Sequence, residues 1–395
     1  MKKSWLFGAV LGFAMPGAAI ATEPDRVIDE YQREEERRIA EGEEPPTFPR
    51  IEGEIVIEIQ NDWQYDASDS DNELNNLFST TEADFSLFPT AALPGLFVNL
   101  HLTWEEVNDN FKGDNRYFAS QGLFVENLSL NYEADWWSVI GGKFGPNFSI
   151  AFDAAPGIYG TDLAEDDIEI AERIGFGGSL TYDADALGRH ALSASTFFLD
   201  NSALSGSILY TSRTRVKTNQ GGPSNTESLQ SFAIAIDGAD IAALPGLRYQ
   251  IGFLHQDVDR VVDENGVALS GSETADENRV VVAGEWAIGV TDAITVTPLL
   301  EWVRFWNAEG FDGEDRNYLT AALQLEYENW SVSAATTQRW IDPKGGSATN
   351  DHQWSVTAGY RFDFGLQLDV GWKVLTEDGD ETRTLGAMAS YVIEF

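Results

Sequence analysis

LGAMASYVIEF, residues 385–395, sets the reading of the whole chain. Leu385, Ala387, Ala389, Tyr391, Ile393 and Phe395 are apolar, and Gly386, Met388, Ser390, Val392 and Glu394 fall between them. Side chains alternate across a strand with period two, so this is a strand with one greasy and one mixed face. It runs to an aromatic at position 395 with no polar tail. A strand in that place needs a partner from elsewhere in the chain.

The same period runs back through the sequence. GEIVIEIQ (53–60) sets Ile55, Ile57 and Ile59 against Glu54, Val56 and Glu58, and FVNLHLTW (97–104) sets Val98, Leu100, Leu102 and Trp104 against Asn99, His101 and Thr103. QWSVTAGYRF (353–362) and GLQLDVGWKV (365–374) repeat the pattern. Short links at 133–135, 183–188, 289–292, 328–329 and 363–364 alternate with long polar ones at 106–121, 215–230, 257–279, 340–352 and 376–383. The spacing predicts sixteen strands, near 51–63, 79–89, 95–105, 121–132, 136–144, 172–182, 189–199, 229–238, 246–257, 277–288, 293–304, 318–328, 330–340, 352–362, 365–374 and 384–395. SGSILYTSR (205–213) is placed in a loop, because one extra strand would break the short–long alternation.

The first residues differ. MKKSWLFGAVLGFAMPGAAIA has two lysines, an apolar run too short to cross a bilayer as a helix, and small residues before position 22, so 1–21 reads as an export signal. Residues 22–50 are charged, with capacity for a short helix that Gly42 and Pro45-Pro46 would end, and read as a periplasmic extension. The remaining 51–395 form one domain.

Composition narrows the function. The formal net charge is -40, which disfavours nucleic acid and anionic headgroups as partners. The 12 Trp, 12 Tyr and 23 Phe are too many for a disordered polyanion. With no cysteine and 4 histidines, neither disulfides nor a thiolate or multi-histidine metal site is expected, and no cofactor motif is present.

Alternating strands can build a soluble sandwich, whose apolar faces meet, or a membrane barrel, whose apolar faces meet lipid. Charges in mid-strand (Glu54, Glu58, His101, Arg248, Glu285, Glu301, Glu326, Arg361, Asp369, Lys373) suit a wet lumen. Aromatics near the ends of the apolar faces (Trp104, Tyr132, Trp302, Tyr327, Trp330, Trp340, Tyr360, Trp372) suit headgroup level. In hydrocarbon an open sheet edge would strand backbone donors and acceptors, so the first and last strands must pair. The fold class expected is an all-β, transmembrane antiparallel β-barrel of about sixteen strands.

In its signal, ten-residue strands, alternating links and aromatic last strand, the sequence resembles the Gram-negative outer-membrane porins, general or substrate-selective, over everything after about residue 50. The resemblance implies short periplasmic turns, long extracellular loops, passage of small hydrophilic solutes, lipid and lipopolysaccharide as surroundings, and a homotrimer. It also implies that Phe395 is read by the outer-membrane assembly machinery, with Tyr391 and Ile393 on the same side. The third outside loop of these porins folds into the barrel. Here that loop, 145–172, carries Asp153, Asp162, Glu165, Asp166, Asp167, Glu169 and Glu172, and Gly157 and Gly160 permit sharp turns. Parity puts Lys143, Arg248, Arg339, Arg361 and Lys373 on the lumen wall with Glu301 and Glu326. Loop acids facing wall bases would set up a transverse field, and crowded carboxylates would raise one another's pKa. The net charge favours cation preference or weak selectivity.

Catalysis is not expected. No serine beside His101, His190, His255 or His352 stands in a nucleophile elbow, and the adjacent Glu105 and Glu106 point to opposite faces. The alternative to a channel is a non-conducting structural or adhesive barrel that presents its acidic loops.

Overall fold

The computed structural model describes residues 47–69, 73–107, 114–209, 213–262, 268–269 and 273–395. The expected signal 1–21 and the extension 22–50, apart from its last four residues, lie outside the described residues.

Sixteen long strands make one antiparallel barrel. They are β1 Arg50–Ala67, β2 Leu74–Phe88, β3 Leu96–Glu106, β4 Gln121–Ala134, β5 Trp137–Phe144, β6 Arg173–Asp183, β7 Arg189–Leu199 and β8 Ser231–Ala239. Then follow β9 Leu247–Gln256, β10 Glu277–Trp286 with its continuation Ile288–Thr291, β11 Ile294–Trp306, β12 Asp315–Tyr327, β13 Trp330–Asp342, β14 Thr349–Arg361, β15 Gln367–Glu377 and β16 Asp380–Glu394. Each coincides with one of the predicted spans. Of 205–213, the described part contributes only an isolated bridge, Leu209 to Leu123.

Each strand pairs with the next, and β16 closes the cylinder against β1, from Glu54↔Glu394 to Gln64↔Thr384 before a shift in register. Closure continues to the last residue. The Gly53 N–H donates to the Phe395 carbonyl at 3.0 Å, and the Phe395 N–H to that of Gly53 at 3.1 Å. Glycine is required at 53, since a Cβ there would lie 2.4 Å from the Asp84 carbonyl oxygen and 2.9 Å from the Phe395 ring.

The faces are inverted relative to a water-soluble protein. Glu58, Gln353, Ser355, Thr357, Asp369 and Ser390 are buried, while their strand neighbours Ile57, Trp354, Val356, Leu368, Val370 and Tyr391 are exposed outward. Aromatics bound the apolar band. Trp330 packs edge-on against Tyr360 at 4.7 Å beside one turn, and Trp340 stands ten residues up β13. At a rise of about 3.3 Å per residue and a tilt of about 40°, that separation is about 25 Å along the axis, the height of an outward apolar belt in such barrels.

Two link assignments change. The stretch 376–383 is not a long loop. β15 and β16 run through it to a two-residue turn, Asp378-Gly379, with φ of 52° and 86°. Positive φ at both central residues matches the twist of a tight hairpin, the turn that Asp-Gly favours. Likewise β1 and β2 extend to Ala67 and back from Leu74, with an Asn61–Asn75 side-chain hydrogen bond of 2.9 Å between them. Charged and amide side chains interrupt the apolar alternation there, so backbone pairing persists where hydrophobic periodicity fades.

Candidate functional site

The loop 145–172 folds into the barrel. It begins where β5 ends at Phe144 and contains two single-turn helices, α1 Ala151–Ala154 and α2 Glu165–Ile168, which the strand periodicity did not suggest. Ser149, Gly157 and Gly160 turn it with φ of 79°, 94° and 27°. Gly157 also lies flat on the wall, where a Cβ would be 2.6 Å from the Thr357 hydroxyl and 2.7 Å from that of Ser333.

Its first anchor is polar. Asn147 donates to Ser193 (3.0 Å) and Asp237 (2.7 Å) and accepts from Gln250 (2.7 Å). Glu301 of β11 is the second anchor. Its carboxylate accepts the Ser149 hydroxyl at 2.7 Å and the backbone N–H groups of Ile150 and Ala151 at 2.8 and 3.0 Å. One wall carboxylate thus holds the first turn of α1. Further on, the Ile158 N–H donates to Thr357, the Tyr159 hydroxyl to Asp62 (3.1 Å), and the Leu163 N–H to Gln353 (2.9 Å).

Apolar contacts join these anchors. Phe148, Ala164, Ile168 and Ile170 pack on Phe197, Leu254, Val281, Val303, Phe305 and Tyr318, all buried on the inner registers of β7 to β12. Burying a Phe or Ile side chain contributes about 1.5–3 kcal/mol, so this seam is a main hold on the loop. A polar inner side was expected of the strands; on this arc the inner wall is apolar because the loop covers it.

The acids and bases of the sequence reading meet directly rather than facing across a gap. Asp162 bonds Lys373. Asp167 binds Arg316 at 3.0 Å and Arg339 at 3.1 Å and accepts the Tyr318 hydroxyl. Burial opposes the ionisation of Asp167, but Arg316 and Arg339 outweigh it and hold the carboxyl below its usual range. Asp162 is pushed up by burial against the pull of Lys373. The mutual repulsion expected among the loop acids is therefore not the leading cause at either position.

The other predicted positions divide. Lys143 is not a free wall base. It is 2% exposed, opposite Leu128 and Ile174 in register, and binds Glu172 (2.7 Å), Asp200 (2.8 Å) and the Leu204 carbonyl. Arg248 pairs with Glu285, and Arg361 bonds Gln367 (3.1 Å) one row from the turns. Arg339 also holds Asp351 and Glu377. Glu326 stands opposite Thr295 and Ser331 near the turn end. Glu169 lies within electrostatic reach of Arg173. The side chains of Glu165 and Asp166 lie outside the described set.

Asp153 is different. Among the described residues it makes no hydrogen bond or ion pair, and it stands within electrostatic reach of Arg248, Glu126, Glu301 and His101. Burial pushes its carboxyl up to about 7, against Arg248 and with Glu126 and Glu301 adding to the rise. It is neutral below that pH and charged above it. Cation preference should therefore rise between about pH 6 and about pH 8, and Asp153→Asn should flatten that part of a reversal-potential titration.

Opposite Asp153 lies a wall that the sequence reading did not assemble. β1 to β4 present Glu54, Glu58, Glu82, Asp84, His101, Glu105 and Glu126 on their inner registers. His101 Nδ1 is 2.7 Å from Asp84 and Nε2 3.5 Å from Glu126, which accepts the Thr103 hydroxyl at 2.8 Å. A bulge between His101 and Leu102 gives β4 its extra residue here. Glu58, Glu82 and Glu105 have no ion-pair partner among the described residues. The period-two run TEADFS (81–86) was the available signal.

No family model matches the sequence, and no curated protein matches it. Solved structures do. OmpF of Salmonella typhi, in complex with daunomycin, superposes with a TM-score of 0.56 at 10% identity, over 87% of this chain and 97% of that one. The chain has the porin fold. OmpT of Vibrio cholerae (TM-score 0.51, 12% identity, 87% of this chain and 97% of that one) and the outer-membrane channel DcaP of Acinetobacter baumannii (0.50, 13%, 87% and 96%) share the architecture of this porin-type barrel. At such identities the likeness is one of backbone, and residue roles in this porin fold come from its own contacts.

Proposed function

We propose that the chain is a passive diffusion channel of the outer membrane for small hydrophilic solutes, with cation preference. The observation that carries this reading is the inward-folded loop 145–172, pinned to the wall from β7 round to Asp62 of β1, with carboxylates lining the inner registers of β1 to β4. The outer face is apolar at bilayer height, so the strands cross lipid, with the short turns periplasmic and the long links outside. The passage runs between Asp153 and the β1–β4 wall. Asp162 and Asp167 act there as fasteners, and the unpaired wall acids supply the field. Phe395 on the closing strand is the proposed assembly signal, three copies the proposed assembly, and lipopolysaccharide the proposed outer neighbour. No catalytic role is assigned to His101, whose ring is held by two carboxylates.

Purified protein in a planar bilayer should insert with stepwise conductance. Silent insertions across salts and voltages would overturn the channel and leave the structural barrel.

A further inference from the structure

Three adjacent inner residues of the acid wall share a property. Glu58 and Thr80 are register partners across β1 and β2. The β2–β3 ladder ends at Thr81↔Trp104, and Thr80 and Glu105 are the next residue on each strand. Glu58, Thr80 and Glu105 thus lie on three successive strands at the end of that ladder. The three are 6%, 4% and 2% exposed. Each has a side-chain oxygen, Glu58 Oε1, Thr80 Oγ1 and Glu105 Oε1, with no hydrogen-bond partner among the described residues. Elsewhere on the wall, Glu126 and Asp84 each have one carboxylate oxygen engaged, and Glu301 has both.

A buried acceptor without a donor costs free energy, and an ionised carboxylate can only accept. Three such oxygens close together, with no counter-charge beside Glu58 and Arg213 alone within reach of Glu105, describe a complement: positive and rich in N–H. A bare metal ion does not fit, because among the described residues no group of three or more His, Asp and Glu is placed to hold one. We propose that the group Glu58, Thr80 and Glu105 binds cationic solutes bearing N–H donors, primary ammonium or guanidinium groups, as a step in their passage. This rests on the reading of the barrel as a cation-preferring pore.

The test compares block of potassium current by methylammonium, which has charge and N–H donors, and by tetramethylammonium, which has charge alone. In the parent, methylammonium should half-block at a concentration about tenfold below that needed in Glu58→Gln/Glu105→Gln, the worth of a charge-assisted hydrogen bond. Thr80→Val, close in shape and free of charge change, should weaken methylammonium block in the same direction. Tetramethylammonium should half-block parent and Thr80→Val alike, and should lose less block than methylammonium in the double variant. If the substitutions move both cations equally, the group contributes charge only, and if they move neither, water satisfies these oxygens; either result overturns the inference while the channel stands. A silent or anion-preferring parent overturns the channel instead. The site is then read from the unfolding temperature of the detergent-solubilised protein, where stabilisation by methylammonium over tetramethylammonium, lost in Thr80→Val, supports it and equal shifts overturn it.

Discussion

Glu301→Ala is expected to raise single-channel conductance and to add noise with several sub-levels, while the barrel stays folded. The carboxylate of Glu301 accepts three hydrogen bonds from Ser149, Ile150 and Ala151. Each charge-assisted bond contributes about 1.5–3 kcal/mol, and alanine leaves the N–H groups at the start of α1 without acceptors. The strand ladder around Glu301, paired with Ala283 and Thr320, uses backbone groups only and is untouched. The loop start should therefore leave the wall. Glu301→Gln is the control. Both backbone donors go to Oε2, which the amide oxygen replaces, and the amide N–H can donate to the Ser149 hydroxyl. Glutamine should restore quiet, parent-like openings at one charge less. Equal conductance and noise in parent and alanine variant would remove Glu301 from this role.

Asp167→Asn should have the second large effect, on selectivity and on stability together. Asp167 is shared by Arg316 and Arg339, all three side chains being largely buried. Breaking one partner of a buried pair costs about 3–5 kcal/mol. The lower end applies, because Arg316 keeps Glu309 and Glu314, and Arg339 keeps Asp351 and Glu377. The uncompensated positive charge should move the reversal potential toward anions and lower the unfolding temperature in detergent. Because the Asp167 carboxyl is held below its usual range, its contribution to stability is present at neutral pH and is lost as pH falls through that lowered value. An acid unfolding profile should show the parent losing stability toward that of Asp167→Asn at low pH. Profiles that stay parallel would place the pair outside the loop's fastening.

The strands were legible because lipid and water impose period two on both faces of each one. Leu385 to Phe395 and Gln353 to Phe362 carried that signal with few interruptions. The Asp378-Gly379 hairpin was legible as a dipeptide but was masked by the charges around it. Wall residues were legible by parity alone, which fixes a face and not a partner. Parity put Arg339 and Lys373 on the right wall, yet their contacts with Asp167 and Asp162 span chain separations that no local pattern encodes. It misplaced Lys143, next to Gly142 at φ 137°, where the strand departs from regular alternation. The apolar inner arc was signalled by STFFL (195–199) and RVVVA (279–283), apolar on both faces, the mark of a strand covered on both sides.

The central claim is a wet passage whose selectivity comes from the carboxylates of β1 to β4 and Asp153. It is tested most directly by the reversal potential across a potassium chloride gradient, at low and at high ionic strength. The claim predicts a cation-preferring potential that shrinks as screening shortens from about 10 Å at 0.1 M to about 3 Å at 1 M, and that falls in Glu82→Gln at low salt. An anion-preferring parent, or a potential that neither salt nor Glu82→Gln alters, would contradict it.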